Sequence, residues 1–192
     1  MSHIPLEAHL PGITGLLEYR KDSAKPIREL TQILLRGEST LTEGERELIA
    51  SLVSARNECV FCTTAHTAAA DILLGNTSTC ELVKLDFETA PVSAKMKALL
   101  AIAERVQQNG KKVTDTLVAR AKANGATDRE IHDTVLIASL FCLYNKYVDG
   151  LASFTPTDPS FYLKLGERIT TVGYNRMPGG YEKLKEENKN LK

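Results

Sequence analysis

The chain has 192 residues, 43% hydrophobic and 25% charged, with 24 basic residues balanced by 24 acidic ones. This length suits a single domain with a sizeable core, and the zero net charge supplies no general attraction to nucleic acid or to an anionic membrane. Four cysteines in so long a chain do not make the dense disulfide framework of a small secreted scaffold.

The N-terminal MSHIPLEAHLPG has neither the basic nor the apolar stretch of a signal peptide, so a cytoplasmic setting is expected. Lys25-Pro26 opens the first predicted helix, with Ile27, Leu30, Ile33 and Leu34 on one face and Gly37 as its stop. The next begins with a capping box, Thr42 with Glu45 three residues later. Another follows after Asn57-Glu58; it carries Cys62 and His66 and ends near Gly75-Asn76. Met96, Leu99, Leu100, Ala103 and Val106 repeat at helical spacing. Thr114 caps a short helix that ends at Asn124-Gly125. Thr127 and Glu130 form a second capping box, opening a helix to about Tyr147. Its centre at 135–144 is apolar all round and predicts burial on every side, but it is too short for the ~18 residues that span a bilayer. Asp158-Pro159 starts the last predicted helix. Nothing alternates with period two, so the fold class is all-α. Residues 1–175 read as one helical domain with an N-terminal arm. Residues 176–192 read as a charged tail, or an arm that orders against a partner chain.

IASLVSARN at 49–57 echoes IASLFCLYN at 137–145. This is either a duplicated helical unit or a chance likeness between two Ala/Leu-rich helices. In the second stretch Tyr147, Gly150 and Phe154 stand where the first has Cys59, Cys62 and His66.

The chemistry concentrates in ECVFCTTAHTAA, residues 58–69. On a helix, Cys62 and His66 are i and i+4 neighbours, so the imidazole can take the thiol proton or stabilise the thiolate. Cys59 lies in the first turn, where free N–H groups and the helix dipole favour a thiolate. Glu47, twelve residues before Cys59 on the preceding helix, can reach His66 if the chain reverses at Asn57-Glu58; a carboxylate there would orient the ring and raise its basicity. A solvated face of Glu45, Arg46 and Glu47 is the alternative. For the cysteines themselves the alternatives are a zinc site, which would need Cys80 or a carboxylate to complete its ligands, and two buried structural thiols. Cys142 and Cys80 read as core and spectator, and His3, His9 and His132 as surface residues without partners. Asn145 and Asp149 read as capping or pinning groups.

The pattern Glu47-x11-Cys59-x2-Cys62-x3-His66 resembles the active-site motif of the AhpD-like alkylhydroperoxidases of the carboxymuconolactone decarboxylase superfamily. Residues 12–66 and YNKYVDGLA at 144–152 look like that family's peroxidase-related branch, and the resemblance spans roughly residues 10–172. It implies an AhpD-like multi-helix bundle, assembled as a trimer or hexamer, with no metal or cofactor. It also implies that Cys62 attacks a small hydroperoxide, Cys59 resolves the sulfenic acid to a disulfide, and His66 with Glu47 relays protons. A lipoyl- or thioredoxin-like dithiol would be the external reductant. The helix dipole, in contrast, favours Cys59 as the nucleophile. Other uses of such a site are general dithiol–disulfide exchange, a decarboxylase-like lyase reaction, or a redox switch of assembly without catalysis. True decarboxylases of the superfamily lack the cysteine pair.

Overall fold

A computed structural model describes residues 2–176 and 179–189. The described residues form ten α-helices, one short 3₁₀ turn at Gly110–Lys112 and no strand. The fold is therefore all-α, as the periodicity predicts. None of the helices is long and apolar enough to cross a membrane.

In chain order the helices are α1 (Ile13–Tyr19), α2 (Lys21–Arg36), α3 (Glu43–Arg56), α4 (Val60–Leu74), α5 (Thr79–Asp86), α6 (Ala94–Gln108), α7 (Asp115–Ala123), α8 (Asp128–Gly150), α9 (Pro159–Thr171) and α10 (Glu182–Glu187). Their start signals work as read. Thr42 and Thr127 each accept the N–H of the glutamate three residues on, while that glutamate's side chain returns to the cap N–H. Thr114 caps α7, and Asp158 caps α9 with Pro159 just inside.

Three expectations need correction. The helix expected from Lys25-Pro26 begins at Lys21, because Arg20 and Asp22 pair across its start and the Ser23 hydroxyl bonds the Arg20 carbonyl. Its buried residues are Ala24, Arg28, Thr31, Leu34 and Leu35, with Ile27 and Leu30 packed against the core as expected, whereas Ile33 is 62% exposed. The α8 centre is not buried on every side: Ser139 faces out and Leu143 is 46% exposed. His132 does have a partner, Asp133, at 2.8 Å, although it remains a surface residue.

The core is built around α3. Ten of its fourteen residues are buried, with Leu48, Ile49, Leu52 and Val53 fully so; each such side chain contributes about 1.5–3 kcal/mol relative to exposure. α4 lies along α3 and is sandwiched by α9, while α6 and α8 close the other side. The α4–α9 approach is tight enough that a Cβ on Gly166 would sit 3.0 Å from the Ala68 Cβ. Residues 179–189 fold onto the chain's own N-terminal segment. Tyr181 and Asn188 are buried there, and Asn188 donates to the His9 carbonyl at 3.1 Å. The remainder of the 176–192 segment, beyond Arg176, lies outside the described residues.

The two echoing stretches touch each other reciprocally. Asn57 donates to Cys142 Sγ at 3.5 Å, and Asn145 donates to Ser54 Oγ at 3.1 Å. Cys142 is the counterpart of Ser54, so each asparagine reaches the same position in the other copy. The two asparagines also bond one another at 2.9 Å. Asn145 thus pins α8 to α3, as its pinning role predicts.

Candidate active site

The site is made by the way α3 stops. The Cys59 N–H reaches the Ser54 carbonyl at 3.1 Å and the Glu58 N–H reaches Ala55 at 3.0 Å. This is a Schellman stop, which calls for a left-handed residue at Glu58, and Glu58 has φ 60. Glycine is the usual occupant, because a Cβ is strained there. Cys59 is the next residue and the N-cap of α4. One reversal therefore ends α3, starts α4 and leaves Cys59 at a helix N-terminus, with Cys62 in the first turn.

Both sulfurs are buried and free. They behave as a pair. The Cys62 thiol stabilises charge on Cys59 and, outweighing burial, holds the Cys59 thiol below its ordinary value. Cys59 in turn, helped by burial, pushes Cys62 well above it. The first proton thus leaves the pair readily and the second does not. Asp149, near the end of α8, opposes charge on Cys59. Its side chain acts on the thiol, which is a different role from the capping or pinning expected of it.

Behind the pair lies a buried carboxylate. Glu47 is 0% exposed. Its Oε2 accepts from or shares a proton with His66 Nδ1 at 2.7 Å. Its Oε1 accepts from Arg36 at 2.6 Å and from the Tyr174 hydroxyl at 2.5 Å. Burial works against the charge, but His66, Arg36 and Tyr174 together hold the carboxyl below its usual range. Tyr174 itself is driven well above its ordinary value by burial and by the neighbouring Glu47, so it remains a donor. Desolvation acts against the Arg36 charge, but Glu47, with Tyr174 and Glu43, more than offsets it.

All four predicted site residues are gathered in this region. Glu47 does face His66, so the solvated-face alternative is set aside. His66 and Cys62 line one cavity of about 70 Å³ with Phe61, Phe141, Tyr144 and Tyr174. No hydrogen bond joins Cys62 to His66 among the described residues; Nδ1 of the ring is taken by Glu47. Phe141 meets the imidazole edge-on at 4.5 Å, and Tyr174 lies nearly parallel to it at 6.1 Å. Cys80 is buried in α5 and bonded to Ser51 at 3.3 Å, and burial pushes its thiol up. Among the described residues no three His, Cys, Asp or Glu side chains are grouped to hold a metal ion.

Two residues of the site were not anticipated from sequence, Arg36 and Tyr174. Arg36 reads as an ordinary basic residue in a last helical turn. Tyr174 is brought in by Gly173, whose φ of 77 turns the chain back after α9, and by its own N–H bonding Gln32 at 2.7 Å. A Gly-Tyr pair just past a helix end is the only local trace of this.

Residues 22–72 match the family model described as "Carboxymuconolactone decarboxylase family". No curated protein matches the chain. The fold is shared with the crystal structure described as an alkylhydroperoxidase AhpD core, an uncharacterized peroxidase-related protein from Ralstonia eutropha JMP134. That protein is 24% identical over 81% of this chain and 80% of its own, with a TM-score of 0.73. An uncharacterized peroxidase-related protein from Silicibacter sp. TM1040 is also 24% identical, over 80% of this chain and 78% of its own, with a TM-score of 0.72. A protein of unknown function from Agrobacterium tumefaciens is 19% identical, over 74% of this chain and 97% of its own, with a TM-score of 0.65. At these identities the structures establish the fold.

Proposed function

We propose that this chain, whose residues 22–72 match the carboxymuconolactone decarboxylase family model and whose fold is shared with AhpD-like structures, is an AhpD-like thiol-dependent peroxidase reducing small hydroperoxides through Cys59 and Cys62. One observation carries the reading. Cys62 and His66 face the same cavity, with Cys59 beside the first and the buried Glu47 bonded to the second. This is an activated nucleophile, a resolving partner and an oriented acid–base group in one place.

The steps follow from that placement. With the shared proton on Cys59, the Cys62 thiolate attacks the outer oxygen of the hydroperoxide. An S–O bond forms, the O–O bond breaks, and the departing alkoxide takes a proton relayed by His66, which Glu47 holds in place. Cys62 is then a sulfenic acid. Cys59 attacks its sulfur, the S–S bond forms, and the hydroxyl leaves as water with the Cys59 proton. Two thiols and one hydroperoxide become a disulfide, an alcohol and water. An external dithiol, lipoyl- or thioredoxin-like, returns two electrons and two protons.

Cavity access favours Cys62 as the attacking sulfur, since it lines the cavity and Cys59 does not. Acidity favours Cys59 as the resting thiolate. The two fit one cycle if charge passes between the sulfurs by a short proton shift. Burial of both sulfurs also favours a small oxidant over a protein disulfide, which supports peroxidase over general disulfide exchange.

The test is hydroperoxide consumption with an external dithiol, and dimedone labelling of single variants. Cys62→Ser should abolish turnover and labelling. Cys59→Ser should stop recycling while Cys62 still becomes a sulfenic acid. Turnover that survives both substitutions would reject the reading.

A further inference from the structure

Two arginines that the peroxidase cycle does not use face the same space as Cys62. Arg28, on α2, is 7% exposed, and its Nε and Nη2 have no hydrogen-bond partner among the described residues. Arg168, on α9, has a buried Nε with no partner and forms no ion pair among them. Both line the 70 Å³ cavity. Arg168 and Thr14 also line a larger cleft of about 330 Å³, with Phe161, Leu165 and Leu184 as apolar walls, and with Lys164 and Lys183 set against the acids Asp158 and Glu187. Arg168 therefore stands where the cleft meets the chamber that holds the reactive sulfur.

The charge balance there is uneven. Glu18 is the acid nearest Arg28: its Oε1, buried and without a hydrogen-bond partner among the described residues, lies 3.7 Å from Arg28 Nη2, while its Oε2 serves Arg176 at 3.0 Å and Lys21 at 3.5 Å. Glu47 is committed to Arg36 and His66. Arg168 is left over. The Tyr181 ring lies under Arg28, with its centroid 5.3 Å away, and partly shields that cation without supplying a negative charge. Buried guanidinium N–H groups without acceptors are costly unless a ligand supplies them. A planar carboxylate matches the guanidinium fork better than a point anion does.

We propose that the substrate of this site carries a carboxylate, held by Arg168 with Arg28, while its hydroperoxide group reaches Cys62 and its apolar body lies in the cleft. The inference rests on the peroxidase reading for its second half only; the carboxylate site stands on the arginines.

Binding of octanoate to the reduced protein, measured by calorimetry, tests the site directly. Octanoate should bind, 1-octanol should bind at least 10-fold more weakly, and Arg168→Gln should weaken octanoate at least 10-fold. Arg168→Lys, which keeps the charge and loses the fork, should fall between. Circular dichroism melts confirm that each variant is folded. Stopped-flow oxidation then compares a carboxylate-bearing alkyl hydroperoxide with its methyl ester. The acid should react at least 10-fold faster, and Arg168→Gln should remove that preference. The proposal is overturned if octanoate fails to bind, if neither Arg168→Gln nor Arg28→Gln affects it, or if inorganic phosphate displaces it at equal concentration. If octanoate binds as expected but neither hydroperoxide oxidises the thiols, the carboxylate site stands and the peroxidase reading fails.

Discussion

The two IASL…N stretches face each other across α3 and α8, yet only one leads into the candidate site. Both helices end in the same Schellman stop with a non-glycine residue in the left-handed position, Glu58 in one and Ala152 in the other. The difference is where the stop falls. Glu58 follows Asn57 directly, whereas α8 runs on past Asn145 to Gly150. The early stop gives α4 an N-terminus beside the core and places Cys59 on it. The late stop turns the equivalent stretch into uninterrupted helix, which carries Asp149 up to the Cys59 thiol. Glu47 has Val135 as its counterpart, so the second copy lacks the buried carboxylate as well. A helix break and one buried acid separate the half that carries the candidate site from the half that does not.

The largest effect should come from Glu47→Gln, which makes the first copy resemble the second. It leaves Arg36 with only the partly exposed Glu43, 3.6 Å away, as counter-charge, at a cost of about 3 kcal/mol. Peroxide turnover should fall ~100-fold or more through loss of the acid–base group. Chemical denaturation and steady-state kinetics read the two separately, and a variant that keeps full turnover would remove Glu47 from the relay. Smaller effects should follow from the asparagines that join the copies. Asn57→Ala and Asn145→Ala should each cost about 1–2 kcal/mol. Their double mutant should lose less than the sum, because they share a bond; strict additivity in urea melts would mean the reciprocal contact carries no coupling.

The smallest effect concerns the capping box of α8. Burial acts against the Glu130 charge, but Lys95, the Thr127 N–H and Thr40 hold its carboxyl down to about 2, against an ordinary 4.5. A depressed acid stabilises the fold at pH above its unfolded value, and that contribution disappears as pH falls from 4.5 towards 2. Glu130→Gln should flatten the acid end of the stability curve in that window, by about 1–2 kcal/mol. The same slope in wild type and variant would show that Glu130 does not couple to folding.

Much of the fold was legible because its helix starts are local chemistry. Thr42–Glu45, Thr127–Glu130 and Asp158-Pro159 each act within four residues. The four-residue site pattern was legible because helical spacing ties Cys59, Cys62 and His66 together. Glu47 could be named but not placed, since its contact depends on the reversal at Glu58, and a glutamate is a poor sign of a left-handed residue. The face read on α2 holds for Ile27, Leu30 and Leu34, but Ile33 is exposed and Arg28 is buried, which apolar patterning alone does not reveal. Tyr174 lies too far along the chain from Glu47 for any local period to connect them.

The central claim is that one cavity-facing thiolate, poised by its neighbour, reacts with hydroperoxide. Stopped-flow oxidation of the fully reduced protein across pH tests it most directly. The account predicts a rate constant well above that of a free thiol, a rate that levels off below the ordinary thiol value because the pair loses its first proton early, and two thiols lost per peroxide consumed. A rate no faster than a free thiol, rising only around the ordinary thiol value, would contradict it.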